Sequence, residues 1–188
     1  MKYLLLLILL YGCSSKTTPI TTYSLNPHIN IRPYKNSLYK NSTIKVSYPT
    51  SINGLIGKRM KYSYNNSEEG LYQNARWSSP SGRLLLNIFI KALDKSKNFK
   101  SVLDYTSLVN ADYILESEVY EFSHKIRGDS SLAVVSIKFN LVDNNKVLIK
   151  SKKFLYEIPT DTFDADGYTK ATREAIQKIS LKMLEWLR

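Results

Sequence analysis

The chain has 188 residues, 43% of them hydrophobic, with only seven glycines and six prolines. That is enough apolar material for one cored domain, and it excludes a fibrous or low-complexity chain. The 27 Lys and Arg against 16 Asp and Glu leave a net charge of +11, which suits either a solvated lysine-rich surface or anionic partners such as lipid headgroups or an acidic protein face.

The N-terminus reads as a targeting segment. Lys2 is a short basic region, and Leu4 to Leu10 is an apolar run far short of the roughly 20 residues a membrane span needs. Next come Leu10, Tyr11, Gly12 and Cys13, the only cysteine in the chain. The order leucine, variable, small, cysteine is that of a bacterial lipobox. Residues 1–12 are then a lipoprotein signal peptide, cleaved between Gly12 and Cys13, and the Cys13 thiol is the lipid attachment site. Two or more acyl chains give stable anchoring. Ser14 follows where an aspartate would argue for inner-membrane retention, so the expected location is the outer membrane, lipid-anchored and facing the periplasm.

Residues 13–40 are rich in Ser, Thr, Asn and Pro and read as a flexible tether, with a short edge strand at Tyr23 and Leu25. The domain is expected over 41–188. "STIKVSYP" alternates Ile44, Val46 and Tyr48 as a strand closed by Pro49, and Met60, Tyr62 and Tyr64 alternate again. "LYQNARW" is extended. From Gly82 to Lys95 the period changes: Leu85, Ile88, Phe89 and Ala92 form a helical stripe, with Ser78 or Ser79 as its cap and Pro80 in the first turn. Leu84, Ile90 and Leu93 widen the apolar surface beyond what one sheet can use. With Trp77 just ahead of the helix, they are the candidate interface residues; the alternative is that a second helix covers them and Trp77 is a packing anchor.

"FKSVL" is a short strand and "ADYILESEVYEFSHKI" a long one. In the next, Ala133, Val135, Ile137, Phe139 and Leu141 alternate with more polar neighbours, turn at Asp143-Asn144-Asn145, and run back over Val147 to Ile158 as a hairpin. The last segment, from about Asp164, repeats Ala171, Ala175, Ile179 and Met183 every four residues. The order predicts an α+β fold: a single twisted, mostly antiparallel sheet with two helices packed on one face.

Chemical motifs are few. In "TDTFDADGYTKATRE", placing Gly167 at the sixth position of a calcium loop puts Arg173 where the bidentate acid belongs. The acids there suit helix capping instead. "SLYK" and "STIK" match S-x-x-K, but in tether and strand rather than at a helix start. His28 and His124, the only histidines, read as exposed polar residues, and no zinc spacing occurs. No catalytic set and no cofactor site emerges, so a binding or structural subunit is expected rather than an enzyme, with no nucleic-acid partner.

The lipobox at Cys13, "YSL" at Tyr23 to Leu25, "IKVSYP", "KYSY", "ARWSSPSGRLLLNIFIKAL", "ADYILESEVYEF", the hairpin and the closing "EWLR" together resemble the ABC-type transport auxiliary lipoprotein family, lipoproteins of the paraquat-inducible protein C type. The resemblance implies a subunit of an intermembrane lipid transport system. It would anchor or cap a periplasmic MCE-domain protein that works with an ABC permease and ATPase, with phospholipid as a candidate cargo and a homo-oligomer as a candidate assembly. The rival reading is an envelope assembly lipoprotein that partners a β-barrel or secretin.

Overall fold

The computed structural model describes residues 18–64 and 68–188. Its elements in chain order are β1 (Thr21–Tyr23), β2 (Thr43–Val46), β3 (Thr50–Ser51), a 3₁₀ turn (Ile52–Gly54), β4 (Arg59–Tyr64), β5 (Glu68–Trp77), α1 (Ser81–Ser96), β6 (Ser101–Asp104), β7 (Tyr113–Arg127), β8 (Ser130–Asp143), β9 (Leu148–Pro159) and α2 (Ala165–Trp186). The signal segment, Gly12 and Cys13 lie outside the described residues.

The sheet grows outward from β7. One edge of β7 pairs with β8 antiparallel along its whole length, from Tyr113 opposite Asp143 to Arg127 opposite Ser130. The other edge is shared by three short parallel strands in succession: β2 at Ile44 to Val46, β3 at Thr50 and Ser51, and β4 at Tyr62 to Tyr64. β9 extends the β8 side, β5 and β1 extend the β4 side, and β6 extends the β2 side. The expected α+β architecture is present; the sheet is larger than expected and mixed, because every short ladder except β4–β5 is parallel.

In β8 the inward set keeps a two-residue period, and Val134 and Ser136 between its members are buried as well. Ala133, Val135, Ile137, Phe139 and Leu141 are all 0% exposed and face the helices. β7 cannot match this with a plain alternation, and the ladder shifts by one residue between Val119 and Glu121. Before the shift Leu115, Ser117 and Val119 point inward; after it Phe122, His124 and Ile126 do. Tyr120 is the extra residue of a β-bulge, which reverses the inward parity while keeping both halves on one core.

The helices close that core. Phe89 of α1 meets Phe139 edge-on at 5.1 Å, and Tyr168 of α2 lies 5.7 Å from Trp77. α2 starts as its acids suggest: Asp164 accepts from the backbone N–H groups of Asp166 at 3.0 Å and Gly167 at 2.9 Å, an N-cap. α1 starts otherwise. Neither Ser78 nor Ser79 caps it; Pro80 occupies the cap position without a side-chain bond. Instead the Ser81 and Gly82 N–H groups donate to the carbonyls of Gly57 and Ile56 at 3.0 and 3.2 Å. The 52–58 loop is thereby fastened to the helix start, satisfying donors that every helix leaves free.

Residues 18–40 depart from the expected tether. β1 pairs parallel with β5, Thr21 opposite Ala75 and Tyr23 opposite Trp77. Leu25, Ile29 and Tyr39 are buried, and the Tyr34 N–H donates to the Ser96 carbonyl at 2.9 Å. This segment lies over the outer stripe of α1, so the helix is covered by the sheet, α2 and its own chain's N-terminal run. β1 runs antiparallel to β7, and its partners Ala75 to Trp77 lie beside Arg59, three residues before the Tyr62 that pairs with His124, so the chain joins the sheet level with the middle of β7. The loops after β6 and β8 lie at the Tyr113 end; they carry Leu108, 99% exposed, and the exposed Val109 and Val147, with Leu148 exposed at the start of β9.

The register carries a direct test. Ile137→Asp places a charge without a partner in the closed core and should cost about 3–5 kcal/mol of stability. Lys138→Thr, on the opposite face, should stay within about 1 kcal/mol. Equal denaturant midpoints for the two variants would refute the inward parity of β8.

Candidate functional site

An apolar concavity runs along α1. Leu25, Pro27 and Ile29 of the N-terminal run form one wall; Leu84, Asn87, Ile88, Lys91 and Lys95 form the other, around about 390 Å³. Both walls follow from the packing above. A polar-looking segment with one apolar residue every few positions buries Leu25 and Ile29, and leaves a shallow apolar floor rimmed by two lysines. That size falls within the range of small-ligand clefts.

The four candidate interface residues separate. Leu84 and Ile90 are half-buried, packed at the margin of the core, and Leu84 lines the groove. Leu93 is 0% exposed and Trp77 1% exposed. Trp77 packs on Phe122 and Tyr168, both at 5.7 Å. These two are core residues and offer no surface to a partner. The α1 and α2 C-terminal ends meet where the Asn98 amide donates to the Leu184 carbonyl at 3.2 Å, which closes the space around Leu93 that a lone helix would leave open. Among the described residues no group of three or more His, Cys, Asp or Glu could hold a metal ion.

His124 is the residue that sequence reasoning misplaced. Far from being exposed, it is 0% exposed. Its ring stacks between Tyr72 at 6.1 Å and Tyr168 at 5.2 Å. Nδ1 is 2.6 Å from the Tyr72 hydroxyl and Nε2 is 2.6 Å from Ser131 Oγ; Ser131 in turn bonds the Thr160 hydroxyl at 2.5 Å. Burial pushes the imidazole down to about 4, only partly offset by the Asp164 carboxylate. The ring is therefore neutral at pH 7, donating from one nitrogen and accepting at the other. A serine beside a histidine invites a nucleophile reading. Here Ser131 is itself buried, its hydroxyl is shared with Thr160, and no carboxylate orients the ring. The chain of hydroxyls holds β5, β7, β8 and the segment after β9 together. The signal that could have located His124 is the bulge, which alternation alone does not reveal.

No protein-family model and no curated protein matches the chain. Solved structures do. A Xanthomonas campestris protein of the DUF330 family shares 18% identity over 88% of this chain and 94% of its own, with a TM-score of 0.77. An uncharacterized protein shares 16% over 90% and 99%, with a TM-score of 0.66. A hypothetical protein from Chlamydia trachomatis shares 8% over 78% and 98%, at 0.51. At such identities the likeness shows the fold alone. It also corrects the expected family: the family attached to the Xanthomonas protein is DUF330, and none of these matches is described as an ABC-type transport auxiliary lipoprotein. The ordered motifs from "YSL" to "EWLR" record a strand and helix order that sequences of low identity share.

The buried imidazole sets a pH dependence. Its folded pKa of about 4 lies below the roughly 6.5 of an unfolded histidine. Between those values the unfolded chain binds the extra proton, so this stability is complete above about pH 6.5 and is lost as pH falls toward 4. The melting temperature should fall from pH 7 to pH 4.5, and His124→Gln should flatten that part of the profile whatever its absolute stability. An unchanged slope in the variant would remove His124 as the titrating group.

Proposed function

We propose that this chain is a non-catalytic lipoprotein of the bacterial outer membrane, anchored through Cys13 and facing the periplasm, that serves a system moving phospholipid or another hydrophobic molecule between membranes. In this reading it anchors or caps a periplasmic MCE-domain assembly driven by an ABC permease and ATPase. The observation that carries the anchor is the run Leu10-Tyr11-Gly12-Cys13 at the foot of a seven-residue apolar stretch, with no other cysteine in the chain; the transport role is the reading that a chemically quiet, anchored domain with an apolar groove fits.

Two features of the domain support the reading. Among the described residues, the one constellation with a catalytic look, Ser131 and His124, is buried in the core. The open concavity along α1 is apolar with lysines at its rim, a lining suited to binding rather than to bond breaking.

Cys13→Ser tests the anchor. The native protein should sediment with outer membranes and carry the mass of acyl chains on Cys13. The variant should appear as a precursor without acyl mass. Native protein with Cys13 retained and unmodified would end the lipoprotein reading. Crosslinking in intact membranes tests the assembly: an MCE-domain protein and ABC components are expected, and capture of a β-barrel or secretin in their place would select the assembly role.

A further inference from the structure

The antiparallel pairing of β4 and β5 contains a pair that stability alone disfavours. Arg59 stands opposite Arg76, just past the point between Arg59 and Lys61 where the register of the two strands shifts. Residues so placed have Cβ atoms about 4.5–5.5 Å apart, and like charges there repel. Met60, Ala75 and Trp77 are buried against the helices, so both arginines project from the opposite face of the sheet, where they are exposed. Lys58 precedes them, also exposed. Lys61, on the same face, is 2.8 Å from Glu69, the one carboxylate among the residues lining this space. Lys58, Arg59 and Arg76 form no ion pair among the described residues.

The space in front of them is a cleft of about 640 Å³. Its second wall is the loop through Gly54, Leu55 and Gly57. That wall is held at several points. Gly57 and Ile56 accept from the start of α1, the Trp77 N–H donates to the Lys58 carbonyl at 2.8 Å, and the Leu55 N–H donates to Ser51 Oγ at 2.8 Å. Leu55 and Leu71, the latter 41% exposed, supply apolar surface beside the cations. Two unpaired guanidiniums and an ammonium across a fixed concavity match the three oxygens of a phosphate group, because the guanidinium fork bonds such oxygens in pairs.

We propose that the cleft between the β4–β5 pair and the 52–58 loop binds a phosphate group, with Arg59 and Arg76 clamping its oxygens and Lys58 closing the open side. The group belongs either to a lipid headgroup, whose glycerol and first methylenes lie along Leu55 and Leu71, or to a small free phosphate. A bound dianion or monoanion turns the repulsion between the arginines into shared attraction. The inference does not depend on the anchor at Cys13.

The experiment uses the full chain, with calorimetric titration and thermal melts at matched ionic strength. The probes are dihexanoylphosphatidylglycerol below its micelle concentration, inorganic phosphate, and chloride as the blank. Binding by the phosphatidylglycerol alone assigns a headgroup site with the leucines engaged; equal binding of inorganic phosphate assigns a phosphate-only site. In either case Arg59→Gln or Arg76→Gln should weaken binding about tenfold or more, the worth of a charge-assisted pair, and Lys182→Gln, on the exposed side of α2 and outside the cleft, should bind as the native chain does. Without ligand and at low salt, Arg76→Gln should melt no lower than the native chain. If an arginine variant fails to fold, Lys58→Gln on the loop decides by its own loss of affinity. Absence of binding by both phosphate probes, or equal affinity in all variants, overturns the proposal.

Discussion

Everything in this fold hangs on the bulge in β7. Fifteen residues of β7 must follow β8 along one edge and serve β2, β3 and β4 in turn along the other. A regular strand would send Phe122, His124 and Ile126 to the face away from the helices, because a one-residue change of phase exchanges the faces. The extra residue at Tyr120 keeps them inward. It also adds local twist at the point where the three parallel partners hand over from one to the next. The hydroxyl chain through His124, the stacking against Tyr168 and the seat of Trp77 all lie beyond the bulge and presuppose it.

That dependence explains what could be read from the sequence. β8 was legible because its inward set keeps a two-residue period, and α2 was legible because Asp164 and Asp166 mark its start before a four-residue apolar repeat. β7 was legible as a strand but not in its second half: Tyr120 and Glu121 each tolerate either face, so nothing in the pattern marks the shift, and His124 fell on the wrong side. The N-terminal run was misread for a different reason. Leu25, Ile29 and Tyr39 are isolated among polar residues and follow no period, yet each finds a place against α1 or the aromatic cluster around Phe99 and Tyr113. With that run counted as a tether, α1 had more apolar surface than partners, and Leu84, Ile90, Leu93 and Trp77 became interface candidates. The run takes up part of that surface beside Leu84, while Leu93 and Trp77 are closed in by α2, Phe122 and Tyr168.

The charge balance also acquires a geography. Three helix lysines are matched locally, Lys170 with Asp166 and Lys178 with Glu174 at i,i+4 spacing and Lys182 with Glu185 at i,i+3. Such exposed pairs contribute little to stability, and all three lie on α2. The β4–β5 face is different: its arginines are aligned by the register of the ladder rather than scattered, and the loop that walls them is tied to α1. Within a net charge of +11, this is a place where strand pairing sets two like charges side by side.

The three residues of β1 have a mechanical consequence. They fix the chain at Thr21, only eight positions after Cys13, and a fully extended stretch of that length reaches about 26–29 Å. If Cys13 carries the lipid, as proposed, a lead that short sets an upper limit on the distance of the domain from the membrane and on how far it can swing. The chain joins the sheet level with the middle of β7, and the fourteen residues of β8 span about 45 Å at the usual rise of a strand. The domain is then a body on a short leash, and a partner has to meet it close to the membrane.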